Sequence, residues 1–227
     1  MMSKILYIIA LSIVFCGNLF AQKTCSCSTS TDIESLLEDR VLAQAYTQKM
    51  KSPEIQFSDD WKKGEIQLTN GEVIHSVYLR YNGFADQLYW LRSRDYQISM
   101  VDRSVVKGFC FIDTINNVSA VYRRADFIEK NKSEVPDVFL QILAEGEISL
   151  YLYHRVNYLS NTDEYYSKPE YYAKVNGEIK RISLRRRSLV RLLGEKKSEM
   201  RSIIRQNDYD LSTQQGMVAA INAFNKQ

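Results

Sequence analysis

The spacing of hydrophobic residues changes several times along this chain, and each change predicts a different kind of element. Ile5 to Cys16 (ILYIIALSIVFC) is an unbroken apolar run. Ile33, Leu36, Leu37, Val41 and Ala45 then recur three and four apart, which places them on one face of a helix. Thr31 and Glu34 stand three apart at its start, the pattern of a capping box. From about Phe57 the period shortens to that of strands. Apolar-rich segments at 66–68, 73–81, 87–91, 96–101, 105–112, 118–122, 138–144, 147–153, 171–175 and 179–184 predict a run of short strands.

The joints between these segments carry turn signals. Asn70-Gly71, Asn82-Gly83, Asn116-Asn117, Glu145-Gly146 and Asn176-Gly177 fill them. Asn-Gly accepts the two positive φ angles of a type I′ turn, the usual tight link of a hairpin. Links of two residues join antiparallel strands only. Val73, Ser76, Tyr78 and Arg80 do not alternate cleanly, so the strand there is predicted without a register. Leu150 and Leu152 alternate with Tyr151 and Tyr153, which predicts a leucine face and a tyrosine face. Asn157 to Pro169 (NYLSNTDEYYSKP) reads as a polar loop. After Arg187 the helical period returns. Leu189, Val190, Leu192 and Leu193 suit a short helix ending at Gly194, Glu199 to Ile204 a second, and Met217, Val218, Ile221 and Phe224 a third opened by Ser212 and Gln215. The expected fold class is therefore α+β: an N-terminal helix, an antiparallel β meander forming a sheet or partly closed barrel, and a C-terminal helical cap.

The first apolar run has the layout of a cleavable signal peptide. Lys4 supplies the positive start, Gly17-Asn18 break the run, and Leu19-Phe20-Ala21 puts a small residue at the cleavage point. The run is shorter than the roughly 20 residues that span a bilayer. The expected organisation is a signal peptide at 1–21, a leader and helix at 22–52, and one β-rich domain at 53–227 with helices over about 187–226. This predicts an exported protein, periplasmic, outer-membrane associated or extracellular, with no transmembrane segment in the mature chain.

Three passages also carry a resemblance. They are Trp61 to Leu68 (WKKGEIQL) running through Asn70-Gly71-Glu72 to Leu79-Arg80-Tyr81-Asn82; Phe139 to Gly146 (FLQILAEG) with Leu150-Tyr151; and Ile204-Arg205-Gln206-Asn207 through the last helix to Phe224-Asn225. Together they resemble a set of exported Bacteroidetes proteins with no assigned activity, over most of the mature chain. The resemblance implies an exported location and brings no catalytic, cofactor or metal residue with it.

Charge narrows the function classes. The formal net charge is only +3, too small to predict a general affinity for nucleic acid. The excess is local: from Lys168 to Arg205 twelve basic residues face four acidic ones. Lys180, Arg181, Arg185, Arg186, Arg187 and Arg191 form the expected partner-binding basic patch, set against the plainer reading of charged strand edges that block aggregation. Cys25, Cys27 and Cys110 allow one disulfide in an oxidising compartment. His75 and His154 are isolated, so neither a zinc site nor a serine triad is predicted. No glycine-rich phosphate loop occurs among nine scattered glycines. No catalytic residue, metal or cofactor is therefore assigned. The function expected is a non-catalytic cell-envelope protein that binds a protein, glycan or lipid. The first alternative is a carboxylate-based glycan hydrolase, with Asp59-Asp60, Glu145, Glu147 and Asp163-Glu164 as its acids and Trp61, Trp90, Tyr165 and Tyr166 as its sugar platform. A structural or stress-response role is the second.

Overall fold

The computed structural model describes residues 61–92, 96–113, 118–128, 135–162 and 164–227, together with the backbone of Gln44–Ala45. Thirteen strands are described: β1 (Gln44–Ala45), β2 (Lys62–Leu68), β3 (Val73–Asn82), β4 (Gln87–Leu91), β5 (Ile98–Met100), β6 (Val106–Asp113), β7 (Val118–Arg124), β8 (Phe139–Ala144), β9 (Ile148–Tyr153), β10 (Val156–Leu159), β11 (Glu164–Ser167), β12 (Glu170–Val175) and β13 (Glu178–Ile182). Three helices follow: α1 (Arg186–Leu192), α2 (Lys197–Asn207) and α3 (Gln214–Asn225). β10 and β11 make a separate ribbon. The other eleven strands form one sheet in the order β1-β5-β4-β3-β2-β6-β7-β8-β9-β12-β13.

This corrects the α+β expectation. The described protein is mostly antiparallel sheet, with helices only at its C-terminal end. Ala45, assigned to the apolar face of an N-terminal helix, lies instead in β1, where it pairs with Ser99. A helical period is a local signal, and pairing with a sheet edge overrides it. The rest of that expected helix, the signal segment, Cys25, Cys27 and the Asn116-Asn117 turn lie outside the described residues.

The chain order requires the sheet to curl. β2 to β5 run outward as a meander, and β6 then returns to the far side of β2. In a flat sheet that return spans about 19 Å, four strand spacings. Only residues 101–105 make the link, and Arg103–Val105 is a 3₁₀ turn that shortens it. Curling brings the ends together and encloses a core of Ile66, Leu79, Tyr81, Trp90, Phe109 and Phe139 among others. Tyr122 stacks on Phe109 in this core, ring centres 4.7 Å apart.

The irregular β3 has a physical cause. Gly64 pairs with Val77 but Ile66 pairs with Ile74, so β3 carries one extra residue at a bulge. Ser76 sits there with φ +58°. Ile74 points inward before the bulge, and Val77, Leu79 and Tyr81 after it, so the alternation shifts by one. Gly64 is needed opposite, because a Cβ there would lie 2.2 Å from the Cys110 carbonyl oxygen.

The C-terminal half is buried on both faces. Ile148 and Leu150 of β9 pack on Met200, Ile203, Met217 and Ile221 from the helices. Tyr151, on the opposite face, packs with Ala125, Ile128, Leu140 and Tyr172. Asn176 (φ +52°) and Gly177 (φ +84°) form the two-residue turn between β12 and β13. The segment expected as a polar loop is instead the β10–β11 ribbon, in which Tyr158 faces Tyr165 with ring centres 5.0 Å apart. Cross-strand aromatic pairs stabilise such ribbons, and this pair lay hidden in a polar composition. The last helix is capped by Thr213, whose hydroxyl accepts from Gly216 N at 3.1 Å, one residue later than the expected Ser212 cap.

Candidate functional site

α1 ends at Leu192, and a short 3₁₀ turn at Gly194–Lys196 reverses the chain into α2. Each helix buries its apolar stripe: Leu189 and Val190 from α1, Met200, Ile203 and Ile204 from α2. The cations on the other sides then converge. Arg186, Arg187, Arg191, Lys197 and Arg201 line one cavity of about 550 Å³, with Val190 as its apolar wall. Among the described residues no carboxylate lines it. Among the described residues none of these five cations is in an ion pair. A second cavity of about 500 Å³ shares Arg186 and adds Arg185, Arg205 and Tyr209, with Asp208 and Asp210 on its wall.

The six expected patch residues therefore divide. Arg185, Arg186, Arg187 and Arg191 open onto these cavities. Arg181 turns away and donates to Glu170 at 3.0 Å, and Lys180 pairs with Glu178 at 2.8 Å. Glu170 is buried and also accepts from Arg155 (3.0 Å) and the Tyr172 hydroxyl (3.0 Å). Burial and this carboxylate push the Tyr172 phenol well above its ordinary value. Arg181 serves the fold there. Sequence reasoning missed Lys197, Arg201 and Arg205 as part of the site. Their signal was present: they stand four apart, one stripe along α2.

Other titratable clusters are tied into the framework. Asp86, in the β3–β4 turn, accepts from the Tyr81 hydroxyl and from Phe139 N at 3.0 Å. Arg103 Nε stands 3.0 Å from its second oxygen, an ion pair without hydrogen-bond alignment. Burial raises the Asp86 carboxyl, while the Tyr81 and Phe139 hydrogen bonds and Arg103 pull it back. Buried Glu65 meets His75 Nδ1 at 2.8 Å, and Cys110 is its partner on the next strand. That order puts the carboxylate between imidazole and thiol. The backbones of His75 and Cys110 stand about 10 Å apart, two strand spacings, which is the wrong sequence for a nucleophile–base–acid relay. Cys110 is buried. His154 Nε2 lies 2.6 Å from Gln141 Oε1, and burial lowers the imidazole to about 4.

Asp59, Asp60 and Asp163, named among the acids of a glycan hydrolase, lie outside the described residues, and Glu145, Glu147, Trp61, Trp90 and Tyr165 are engaged at separate places. Glu145 pairs with Arg123 (3.0 Å) and Glu147 with Lys196 (2.6 Å). Trp90 is a core residue, Trp61 lies under Arg80, and Tyr165 packs edge-on against Phe84 at the ribbon. Among the described residues no group of three or more His, Cys, Asp or Glu is arranged to hold a metal. No helix among them is long and apolar enough to cross a membrane. Comparison with protein-family models, with curated proteins and with solved structures gives no match.

Proposed function

We propose that this chain is an exported, non-catalytic envelope protein that holds an anionic partner in the cavity between α1 and α2. One observation supports the reading above others: five cationic side chains line a single cavity, with no carboxylate among its described lining residues. Like charges four apart on a helix repel, by about 0.2–0.5 kcal/mol per pair. Arg187 with Arg191 and Lys197 with Arg201 are two such pairs, on facing helices. Cations also occupy the first turn of α1, where the helix dipole disfavours them, with no acid beside them. Edge protection places charges on exposed strand edges, whereas these cations stand on two helices. Four of the cations are arginines, whose forked donors match carboxylate, sulfate and phosphate.

Titration with inorganic tripolyphosphate at low salt, followed by thermal unfolding, tests the reading. The midpoint rises in the wild type, because the ligand binds only the folded state. Each of Arg187→Glu and Arg201→Glu weakens binding by about tenfold or more, the worth of one charge-assisted contact. An equal rise in the double variant and the wild type overturns it.

A further inference from the structure

Arg186 lines both cavities, so the two adjoin, and the trough is the run of cationic side chains along them. Along one wall, Lys197, Arg201 and Arg205 recur four apart, about 6 Å of helix rise between successive charges. The facing wall carries Arg187 and Arg191 at the same spacing. A single phosphate or carboxylate engages only a fraction of such an array. From this we infer that the natural ligand is a linear acidic glycan, a strand bearing a charge on nearly every sugar, lying along the trough from Arg191 to Arg205. The inference rests on the anion-binding reading above and narrows it.

Two features separate this ligand from the other envelope anions. A membrane surface is held by basic residues together with apolar side chains that enter the bilayer. Among the described residues the large exposed hydrophobics are Val73, Tyr78, Phe84, Tyr96, Phe127, Tyr158, Leu159 and Tyr166, and none lies between 184 and 212. Leu184, Ile204 and Leu211 line the second cavity but pack into the helix core rather than standing out from the surface. A protein partner of ordinary interface size needs an aromatic or aliphatic centre inside a polar rim. Here the centre itself is cationic. Tyr209, half-buried, is the one aromatic residue among the described residues that line either cavity, and supplies a ring for a sugar. Asp208 and Asp210 also line the second cavity, and an anionic strand is repelled there.

Oligogalacturonates of increasing length test the inference, measured by fluorescence anisotropy of an end-labelled strand at two or more salt concentrations. Affinity increases by about tenfold or more from dimer to octamer as further units engage by effective concentration. The dependence of log K on log salt becomes steeper with length, and Arg205→Glu reduces the slope for the octamer by about one. Unaltered urea midpoints show that the variants are folded. Equal affinity for all lengths, with tripolyphosphate still bound, overturns the strand and leaves the anion site standing. Capture by anionic phosphatidylglycerol vesicles with no oligogalacturonate binding overturns it in favour of a lipid surface. If neither tripolyphosphate nor any oligomer binds, both readings fall together.

Discussion

Asn225, the last residue of α3, fastens the helical cap to the sheet, and its removal has a magnitude that can be worked out. Its Oδ1 accepts from Ile148 N at 2.9 Å. Its Nδ2 donates to Ile148 O at 2.8 Å and to Glu145 O at 3.4 Å. One side chain thus serves both polar groups of a fully buried residue. Gly146 belongs to the same fit, because a Cβ there would lie 2.5 Å from the Asn225 amide. In Asn225→Ala the Ile148 N–H loses its acceptor, and a buried group left without a partner costs about 1–3 kcal/mol. With the two bonds that Nδ2 donates, the expected loss is about 2–4 kcal/mol. For a chain of this size that lowers the melting midpoint by about 5–15 °C. Asn225→Asp is the sharper test. It keeps the acceptor and nearly the same shape, but sets an oxygen against two carbonyl oxygens. It is therefore expected to be no more stable than the alanine variant at neutral pH, and to recover as acidification protonates the new carboxyl. Urea unfolding of the three proteins at pH 7 gives the answer. An aspartate variant within about 0.5 kcal/mol of wild type would refute the reasoning, since that is the range of an ordinary surface change.

Two further outcomes follow from single side chains. His154 is held neutral in the fold, its imidazole lowered from 6.5 to about 4 by burial. Its contribution is complete above about pH 6.5 and is lost as pH falls from there towards 4, up to about 3 kcal/mol at 1.36 kcal/mol per unit. The half-buried ring makes that an upper figure. Urea midpoints of wild type and His154→Gln across pH 4–7.5 check this: the variant should lack that component, and parallel curves would rule it out. Gly64→Ala drives a methyl into the Cys110 carbonyl and to within 2.9 Å of Leu79 Cδ1. Backbone atoms give way only by moving β2 from β6, so a loss of about 1–3 kcal/mol or more is expected in thermal unfolding. A midpoint equal to wild type would mean that the two strands are not held this closely.

What the sequence determined by itself was whatever depends on a few adjacent torsions. Asn176-Gly177 specified its hairpin because two positive φ angles suffice for that turn. The stripes of α2 and α3 were legible because Met200, Ile203 and Ile204, and Met217, Ile221 and Phe224, each share one helix face. Even the groove was half visible: two cationic stripes, each readable alone. That they face one cavity was decided by the turn after Leu193 and by the burial of both helices in one core with β9 and α3, which no spacing encodes. Tertiary structure likewise decided that Arg181 turns to Glu170, and that the Tyr158–Tyr165 pair closes a ribbon where composition read loop. It also placed Ala45 beside Ser99 in a sheet edge despite its helical period. The buried acids were illegible for the same reason: Asp86 is bonded to the backbone of Phe139, fifty-three residues away. A local preference is worth a fraction of a kcal/mol per residue, while burying a carboxylate or pairing a strand edge is worth several times that. Where the two disagree, the long-range term prevails, and the sequence shows it only once the chain has folded.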